Sequence, residues 1–283
     1  MRWTARKHTF NFPRKTLIMG IVNVTPDSFS DGGLFFNTNR AIDHALKLVD
    51  EGADILDIGG ESTRPGATSV SVKEELNRVI PVIDKLSKQS ETIISIDTHK
   101  PIVAEEAINA GASIVNDIGA NNNNSKMWNV ISQTKAGYIC MHMKGTPKTM
   151  QKSPFYENVI SDVCNFFQER LNIFKEHGIS AEQVAFDPGI GFGKSLNHNI
   201  ELMSQLNKFN VFQRPVLIGA SRKSFIEKLL GTPVEARLPA SLTCAAWAIM
   251  QGSQIIRAHE VAETTQAARM AEALIENNYG TIT

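Results

Sequence analysis

Short apolar runs alternate with longer amphipathic stretches along the chain. Eight of the short runs are predicted as strands, and they occupy residues 17–24, 53–59, 92–97, 113–118, 137–142, 183–188, 215–221 and 254–259. A helical pattern follows each run, and this alternation is typical of βα units that form a parallel sheet. Eight units favour a closed (β/α)8 TIM barrel over an open sheet, and no GxGxxG motif follows the first run to indicate a dinucleotide site.

Glycines mark the ends of several predicted helices. Gly52, Gly111 and Gly252 each stand shortly after a helical stretch and just before an apolar run. Glycine is the usual residue at such a helix C-terminus because it adopts positive φ without strain. The run of asparagines at residues 121–124 is predicted to be a solvated loop, since asparagine favours turns over regular structure.

Composition narrows the class of protein. The chain has 283 residues, of which 42% are hydrophobic and 20% charged, as in an ordinary globular protein. Residues 1–283 are therefore predicted to form a single α/β domain. Lys plus Arg number 29 and Asp plus Glu also number 29, so no net charge would attract nucleic acid or an anionic membrane. Any binding of phosphate must depend on local charges.

Cysteine usage and hydropathy indicate the compartment. Cys140, Cys164 and Cys244 show no CxxC spacing, which argues against a disulfide framework and a structural zinc site. The basic N-terminal segment has no apolar run of signal-peptide length, and no stretch approaches the roughly 20 apolar residues that span a bilayer. A cytoplasmic location is predicted.

Nearly every predicted strand ends in a polar residue. Active sites of βα barrels lie at the C-terminal ends of the strands, so these residues are candidates for a common site. Any one of them could instead be a barrel-rim residue or a helix N-cap, but this explanation fits poorly for all of them together. The strand-end residues are Asn23, Asp57, Glu61, Asp97, Asn116, Asp117, His142, Asp187, residues 221–223, Arg257 and His259.

The strand-end residues fall into two chemical groups. Arg64, Lys223, Arg257 and His259 can carry positive charge, and with Asn23 as an oxygen ligand for a hard cation they describe a pocket for a metal-bound phosphate group.

The second group consists of Asp97, Asn116 and Asp187. Their oxygens suit a flat heterocycle that presents adjacent N–H donors. A lone buried carboxylate is costly, so Asp187 is expected to face a donor-rich ligand or an adjacent cation such as Lys223.

Two segments rich in Gly, Pro, Ser and Asp follow the first two strands, at residues 25–33 and 59–69. Such composition is typical of loops that can move, and Phe29, Arg64 and Pro65 could close over a site. The segment GIGFGK at residues 189–194 lacks the GxxxxGK[ST] spacing of a phosphate loop. By itself this segment indicates only a close approach of backbone to some other group.

Seven segments carry a family resemblance. GIVNVTPDSFSDGG, DIGGESTRPGA, SIDTHKP, IVNDI, DPGIGFGK, GASRKSFI and RAHEV occur in this order between Gly20 and Val261. In order and spacing they resemble the segments of the dihydropteroate synthase family. The departures are small: His99, Ala220 and Ala258 stand where relatives often have other residues, and none removes a proposed ligand. They leave the fine specificity open.

The resemblance implies an activity and a set of site residues. The implied reaction joins 6-hydroxymethyl-7,8-dihydropterin diphosphate to p-aminobenzoate with Mg2+ assisting, by an SN1-like course in which positive charge develops on the pterin methylene. By match, Asn23 would ligate Mg2+, and Asp97, Lys223, Arg257 and His259 would carry catalysis. The implied substrate-binding residues are Asp27, Phe29, Thr63, Arg64, Pro65, Asp97, Asn116, Asp187, Phe192, Lys223, Ser224, Arg257 and His259.

Two other functions stay open at this point. A pterin-dependent methyltransferase of corrinoid systems would share the acceptor residues but would not need STRPG and SRKS. A non-catalytic pterin-binding paralogue would be expected to lose Asn23, Lys223 or Arg257, and this chain keeps all three. The family resemblance also implies small-molecule substrates and a homodimer, with residues 240–250 and 261–276 as candidate surfaces.

Overall fold

A computed structural model describes residues 1–25, 34–62, 69–120, 122–146, 149–151 and 153–279, with only the backbone at residues 34–37 and 277–279. The chain begins with an antiparallel hairpin of β1 (Arg2–Ala5) and β2 (His8–Asn11). Eight parallel strands follow: β3 (Leu17–Asn23), β4 (Ile55–Gly59), β5 (Ile93–Asp97), β6 (Ile114–Asp117), β7 (Gly137–Met141), β8 (Val184–Asp187), β9 (Leu217–Ile218) and β10 (Ile255–Ala258).

Helices alternate with these strands. In the described part of the chain they are α1 (Leu34–Asp50), α2 (Val72–Gln89), α3 (Pro101–Asn109), α4 (Ser125–Thr134), α5 (Val159–Glu176), α6 (Leu196–Ser204), α7 (Ser224–Leu230), α8 (Leu238–Met250) and α9 (Val261–Tyr279). Within those residues no helix combines the length and the apolar character that crossing a membrane requires.

The parallel strands form one barrel. Their order is β8-β7-β6-β5-β4-β3-β10-β9, and a parallel bridge between Phe186 and Val216 joins the two ends. The backbone N–H of Phe186 also donates to the carbonyl of Pro215 at 2.8 Å. The predicted (β/α)8 TIM barrel is confirmed, and each predicted run contains a strand. β9 is shorter than predicted, and Pro215 near its start has no N–H to donate to a sheet.

The predicted helix ends and the predicted asparagine loop are found in the structure near the expected residues. Gly52, Gly111 and Gly252 have φ of +103°, +125° and +88°, so each ends its helix as predicted. In the asparagine run, Asn122 and Asn123 are exposed, while Asn121 lies outside the described residues. Asn124 caps α4 by accepting from the backbone N–H of Met127. Residues 122–124 therefore form a loop whose last residue is the N-cap of the next helix.

The N-terminal hairpin covers the end of the barrel at which the strands begin. Trp3 is fully buried, stacks on Phe10 with ring centroids 5.1 Å apart, and donates from Nε1 to the carbonyl of Gln183 at 2.9 Å. Its apolar cluster includes barrel residues such as Leu17 and Ile114. The hairpin is not predicted from the sequence, because its strands have only four residues each and the one distinguishing feature of the segment is its basic charge.

Candidate active site

Polar residues gather at the C-terminal end of the barrel because consecutive strands end in register. Asn23 of β3 pairs with Gly59 of β4, Gly59 pairs with Asp97 of β5, and Asp97 pairs with Asn116 of β6. Three side chains from neighbouring strands thus lie at one level of the barrel. This arrangement is where βα barrels place their chemistry.

A buried carboxylate joins three strands of this site. Asp57 of β4 has no exposed surface, and its Oδ2 accepts from Nδ2 of Asn116 at 2.9 Å and from Nε of Arg257 at 2.6 Å. Arg257 of β10 also donates from Nη2 to Oδ2 of Asp97 at 2.8 Å. Asp97, Asn116 and Arg257, all predicted site residues, are therefore brought together, and Asp57 connects them.

Several acceptor oxygens in this network lack a partner. Oδ1 of Asp97, Oδ1 of Asn116 and Oδ1 of Asp57 are buried and accept no hydrogen bond within the described residues. A buried unsatisfied polar atom costs about 1–3 kcal/mol, so such atoms are uncommon in structures without a functional reason. The oxygens of Asp97 and Asn116 are suited to a ligand that presents N–H donors.

Burial changes the proton affinity of this network. Desolvation raises the pKa of Asp97 to about 7; the Arg257 guanidinium opposes the rise, and the charge of Asp57 adds to it. The pKa of Arg257 is affected first by desolvation, which lowers it, but the carboxylates of Asp57 and Asp97 outweigh this effect and raise it. Arg257 therefore stays cationic, whereas Asp97 changes charge near neutral pH.

Asp187 and Lys223 form the opposite side of the site. Asp187 ends β8, is 5% exposed, and accepts from the backbone N–H of Gly189 at 2.7 Å. Burial raises the pKa of Asp187, and the charge of Lys223 is the largest opposing effect. Burial likewise lowers the pKa of Lys223 to about 8. Lys223 is thus the cation that acts most strongly on Asp187.

The loop after β8 forms a wall beside Lys223. The ammonium of Lys223 lies 4.6 Å from the centroid of the Phe192 ring and donates to the carbonyl of Ile190. Phe192 is partly buried and also packs against an apolar cluster. That cluster consists of Ile118, Met141, Met143 and Met150. Phe192 thus offers an aromatic surface at the edge of the site.

The close backbone approach indicated by GIGFGK is present. Gly189 has φ of +70°, and a Cβ atom placed on it would lie 1.9 Å from the carbonyl oxygen of His142. Only glycine fits this position, since the neighbouring atom belongs to the backbone. The loop is thereby held tightly against the segment that follows β7.

Lys194, at the end of that loop, was not predicted as a site residue. It is 1% exposed, and its ammonium donates to the carbonyl of Phe192 at 2.9 Å and lies 3.0 Å from Nδ1 of His142. Burial lowers the pKa of Lys194 to about 7 and the pKa of His142 well below its usual value. His142 therefore supports the loop. The GIGFGK motif was the available signal for Lys194.

His259 and Ser224 lie near the ends of β10 and β9. Nδ1 of His259 is 2.9 Å from Oγ of Ser221, which orients the imidazole ring. Ser224 is exposed and begins α7, directly after Lys223. The structure thus places both residues on elements that border the Arg257 and Lys223 side chains.

The oxygen donors for a cation are few. Oδ1 of Asn23 and Oδ2 of Asp97 both face Gly59, and each would lie 3.8 Å from a Cβ placed on that glycine. Within the described residues no group of three His, Cys, Asp or Glu side chains could hold a metal by itself. Mg2+ commonly combines one or two protein oxygens with substrate phosphates and water, and the residues present fit that mode.

Five predicted site residues lie outside the described residues: Asp27, Phe29, Thr63, Arg64 and Pro65. Glu61 and Val70 stand on either side of residues 63–68, and a hydrogen bond joins them. Oε1 of Glu61 accepts from the backbone N–H of Val70 at 3.2 Å, and its Oε2 accepts from Lys100 at 2.6 Å. The ends of this segment are therefore close together.

Comparison with known proteins shows the family to which the chain belongs. Residues 19–259 match the family model described as "Pterin binding enzyme". The dihydropteroate synthase of Escherichia coli (strain K12) is 46% identical over 258 residues, which cover 91% of each chain.

Solved structures give the same result. The structure of Yersinia pestis dihydropteroate synthase with a sulfonamide drug superposes with a TM-score of 0.91 at 43% identity, covering 98% of this chain and 100% of that one. The Xanthomonas albilineans enzyme with 4-aminobenzoic acid has a TM-score of 0.88 at 39% identity, covering 97% and 98% of the two chains. The chain belongs to the dihydropteroate synthase family, whose members are transferases of folate biosynthesis.

Proposed function

We propose that this transferase condenses 6-hydroxymethyl-7,8-dihydropterin diphosphate with p-aminobenzoate, releasing dihydropteroate and diphosphate. The observation that supports this proposal most directly is the pair of unpartnered buried oxygens, Oδ1 of Asp97 and Oδ1 of Asn116, on adjacent strands. A pterin ring presents adjacent N–H groups along one edge, which complement such acceptors. Asp187, whose carboxylate lies by Lys223, would accept a further N–H.

The cationic residues would hold the leaving group. Arg257 already carries positive charge beside Asp97, and His259 has its ring oriented by Ser221. In the proposed complex, Arg257, His259 and the ammonium of Lys223 stabilise the negative charge that grows on the departing diphosphate. Such preorganised donors contribute most when they act on charge that develops in the transition state.

The proposed bond changes are those of a dissociative substitution. The C–O bond between the pterin methylene and the diphosphate breaks, and its electron pair leaves with the diphosphate. The methylene becomes electron-deficient, and the dihydropterin ring delocalises that charge beside the carboxylates of Asp97 and Asp187. The aniline nitrogen then forms the C–N bond with its lone pair, and its proton passes to solvent or to the released diphosphate. No strong general base is needed.

Asn23 is the proposed protein ligand for Mg2+. Its Oδ1 lies at the level of Asp97, and the small donor set described above suits a cation held jointly by protein and diphosphate. Mg2+ bound there would supply positive charge that stabilises the leaving group. Asn23 itself would orient that charge towards the diphosphate side of the pocket.

The proposed p-aminobenzoate site lies next to Lys223. Phe192 offers its ring, backed by the methionine cluster, and Ser224 stands exposed one residue beyond Lys223. Thr63, Pro65, Asp27 and Phe29 belong to this proposal through the family resemblance. The Xanthomonas relative's complex with 4-aminobenzoic acid supports the substrate class.

A turnover assay tests the proposed function. The purified protein is incubated with the pterin diphosphate, p-aminobenzoate and Mg2+. We expect diphosphate and dihydropteroate to form in equal amounts. Omission of p-aminobenzoate should abolish dihydropteroate formation. Pterin binding without turnover would instead support the non-catalytic paralogue. The relatives reported above are named as synthases and lend the corrinoid methyltransferase no support.

A homodimer is proposed through α8 and α9, which pack against each other. Four large apolar side chains on these helices are exposed: Trp247 by 41%, Met250 by 52%, Met270 by 64% and Leu274 by 53%. Burying them in a symmetric interface would be favourable. Sedimentation of the wild type and of Met270→Glu tests this proposal, with a dimer and a monomer as the expected species. The cytoplasmic location also remains a proposal, supported by three free cysteines.

A further inference from the structure

We infer that Asp57 is a positioning residue that fixes which group Asn116 presents to the pterin and how Arg257 is oriented. The inference rests on the proposed pterin site. Asp57 has no exposed surface, whereas Asn116 keeps 3% and the Asp97 side chain 10%, so Asp57 acts on the ligand through its neighbours. The sequence identifies Asp57 only as a strand-end carboxylate, outside the predicted site residues.

The hydrogen bond to Asn116 determines the orientation of an amide. An asparagine side chain has a donor end and an acceptor end of nearly equal size, so packing alone hardly distinguishes its two orientations. Nδ2 of Asn116 donates to Oδ2 of Asp57 at 2.9 Å, and a carboxylate can only accept. Oδ1 of Asn116 is therefore turned away from Asp57 as an unpartnered acceptor.

The bonds to Arg257 determine the orientation of a guanidinium. Nε of Arg257 donates to Oδ2 of Asp57 at 2.6 Å, and Nη2 donates to Oδ2 of Asp97 at 2.8 Å. Two donors of one rigid planar group are thus held by carboxylates on adjacent strands. Oδ2 of Asp57 accepts from both Asn116 and Arg257. One oxygen thus orients a proposed pterin-binding residue and a proposed diphosphate-binding residue.

The register explains why Asp57, and not Asp97, has this role. Asp57 pairs with Ser95, whereas Asp97 pairs with Gly59 two residues further along β4. Asp57 consequently lies one level deeper in the barrel, beneath the level of Asn23, Asp97 and Asn116. The two carboxylates look alike in sequence, but the deeper one supports side chains and the upper one is available to the ligand.

The principal test is binding of 6-hydroxymethylpterin by calorimetry to the wild type and to Asp57→Asn. The variant keeps the side-chain volume, but its amide can meet Asn116 with either its oxygen or its NH2 group, so the orientation of Asn116 is no longer dictated, and Arg257 loses a charged partner. We expect the affinity to fall about 10-fold or more, as when a charged hydrogen-bond partner is lost. Steady-state kinetics should show a higher KM for the pterin diphosphate, with KM for p-aminobenzoate at saturating pterin unchanged.

Asp117→Asn is the matched control. Asp117 is a buried carboxylate on β6, two strands away from Asp57, but its partners are Tyr138 at 2.7 Å and the backbone of Gly119 at 2.7 Å, not residues of the site. Its replacement should lower stability without changing the affinity for 6-hydroxymethylpterin. An equal loss of affinity in both variants would mean that any buried carboxylate in the barrel matters, and it would overturn the specific role of Asp57.

A reversed pair distinguishes positioning from general support. In Asp57→Asn/Asn116→Asp the amide at position 57 can donate to the carboxylate at position 116, whose other oxygen remains an acceptor for the pterin. Nε of Arg257 loses its acceptor in this variant, so pterin binding reports on position 116 alone. Positioning predicts that the double variant binds more tightly than Asp57→Asn, whereas independent losses would add. This variant also decides the matter if Asp57→Asn does not fold: binding within about 10-fold of the wild type supports the inference, and a larger loss overturns it.

The proposed function and this inference can fail separately. A wild type that does not bind 6-hydroxymethylpterin would overturn the pterin site and, with it, the role of Asp57. A wild type that binds the pterin, beside an Asp57→Asn variant of equal affinity, would leave the pterin site standing and overturn the inference alone.

Discussion

The ammonium of Lys194 lies 3.0 Å from Nδ1 of His142, and both side chains are buried. The ammonium also donates to the carbonyls of His142 at 3.3 Å and Phe192 at 2.9 Å. Lys194 therefore connects the segment after β7 to the loop that carries Phe192. A buried lysine bound to neutral acceptors holds its proton weakly, and this has a measurable effect on stability.

The Lys194→Met variant should change the pH dependence of stability. Burial lowers the pKa of Lys194 from 10.5 to about 7, so between these values the unfolded chain binds the proton and the folded protein does not. Stability from this group therefore rises with pH across that window. The free energy of unfolding of the wild type minus that of Lys194→Met should increase by a few kcal/mol from about pH 7 to about pH 10.

Urea unfolding at a series of pH values measures this difference. Lys208→Met, at an exposed position, is the control and should give a nearly constant difference from the wild type. A constant difference for Lys194→Met as well would mean that the Lys194 ammonium keeps its ordinary proton affinity in the folded protein.

Pterin binding should depend on the charge of Asp97. Its pKa is raised to about 7, chiefly by desolvation, so the carboxylate gains a proton as the pH falls below neutral. A protonated carboxyl presents a donor where the pterin N–H requires an acceptor. Affinity for 6-hydroxymethylpterin should therefore increase as the pH rises from about 5.5 to about 7.5, and the increase should be absent in Asp97→Asn. Calorimetry across this pH range measures the affinity. A wild-type affinity that does not change with pH would contradict the raised pKa of Asp97.

The barrel was predictable because its signals are local. Each strand is a short apolar run, and residues such as Gly111 mark where a helix must end. The polar strand ends were also predictable, since the direction of a parallel strand determines which of its ends carries the site. The structure accordingly brings Asp97, Asn116 and Arg257 into one network.

The levels within the barrel were not predictable from the sequence. Asp57 and Asp97 stand in similar motifs. Only the register between β4 and β5 shows that Asp57 lies deeper and supports other side chains, whereas Asp97 is available to a ligand. Lys194 is exposed or buried according to the path of a loop that depends on Gly189 lying against the carbonyl of His142. Such contacts join residues far apart in the chain, and hydrophobic periodicity carries no information on them.

The N-terminal hairpin should contribute to stability without contributing to turnover. Trp3 is fully buried and stacks on Phe10 at the end of the barrel opposite the site. Trp3→Ala should cost about 3–5 kcal/mol, as for other large-to-small aromatic changes in a core. Turnover per folded molecule should not change. Phe155→Ala, whose side chain is 70% exposed, is the control for stability. Lower turnover per folded molecule would show that the hairpin influences the opposite end.

Asp187→Asn should weaken pterin binding. The carboxylate ends β8, is almost buried, and has one oxygen engaged by the backbone N–H of Gly189. An amide would offer a donor to the pterin N–H, and losing the charged hydrogen bond should cost about 1.5–3 kcal/mol. Calorimetry with folded variant measures the loss, and Asp50→Asn, at an exposed position on α1, is the control. Unchanged affinity would remove Asp187 from the proposed site.

Replacement of Arg257 should affect both folding and turnover, and two variants separate these effects. Arg257→Ala leaves the fully buried Asp57 without the cation that now lies 2.6 Å away, and an uncompensated buried carboxylate costs about 3–5 kcal/mol.

Arg257→Lys keeps a positive charge near Asp57 and Asp97 but lacks the planar group that now donates to both. The lysine variant should therefore lose less stability than the alanine variant, while its turnover per folded molecule should still fall at least about 10-fold, since an ammonium cannot hold two carboxylates and a diphosphate in one fixed plane. Urea unfolding and kcat, both corrected for the folded fraction, give the two quantities. Wild-type turnover in Arg257→Lys would show that the charge alone suffices at this position and that the orientation of the guanidinium is not used in the reaction.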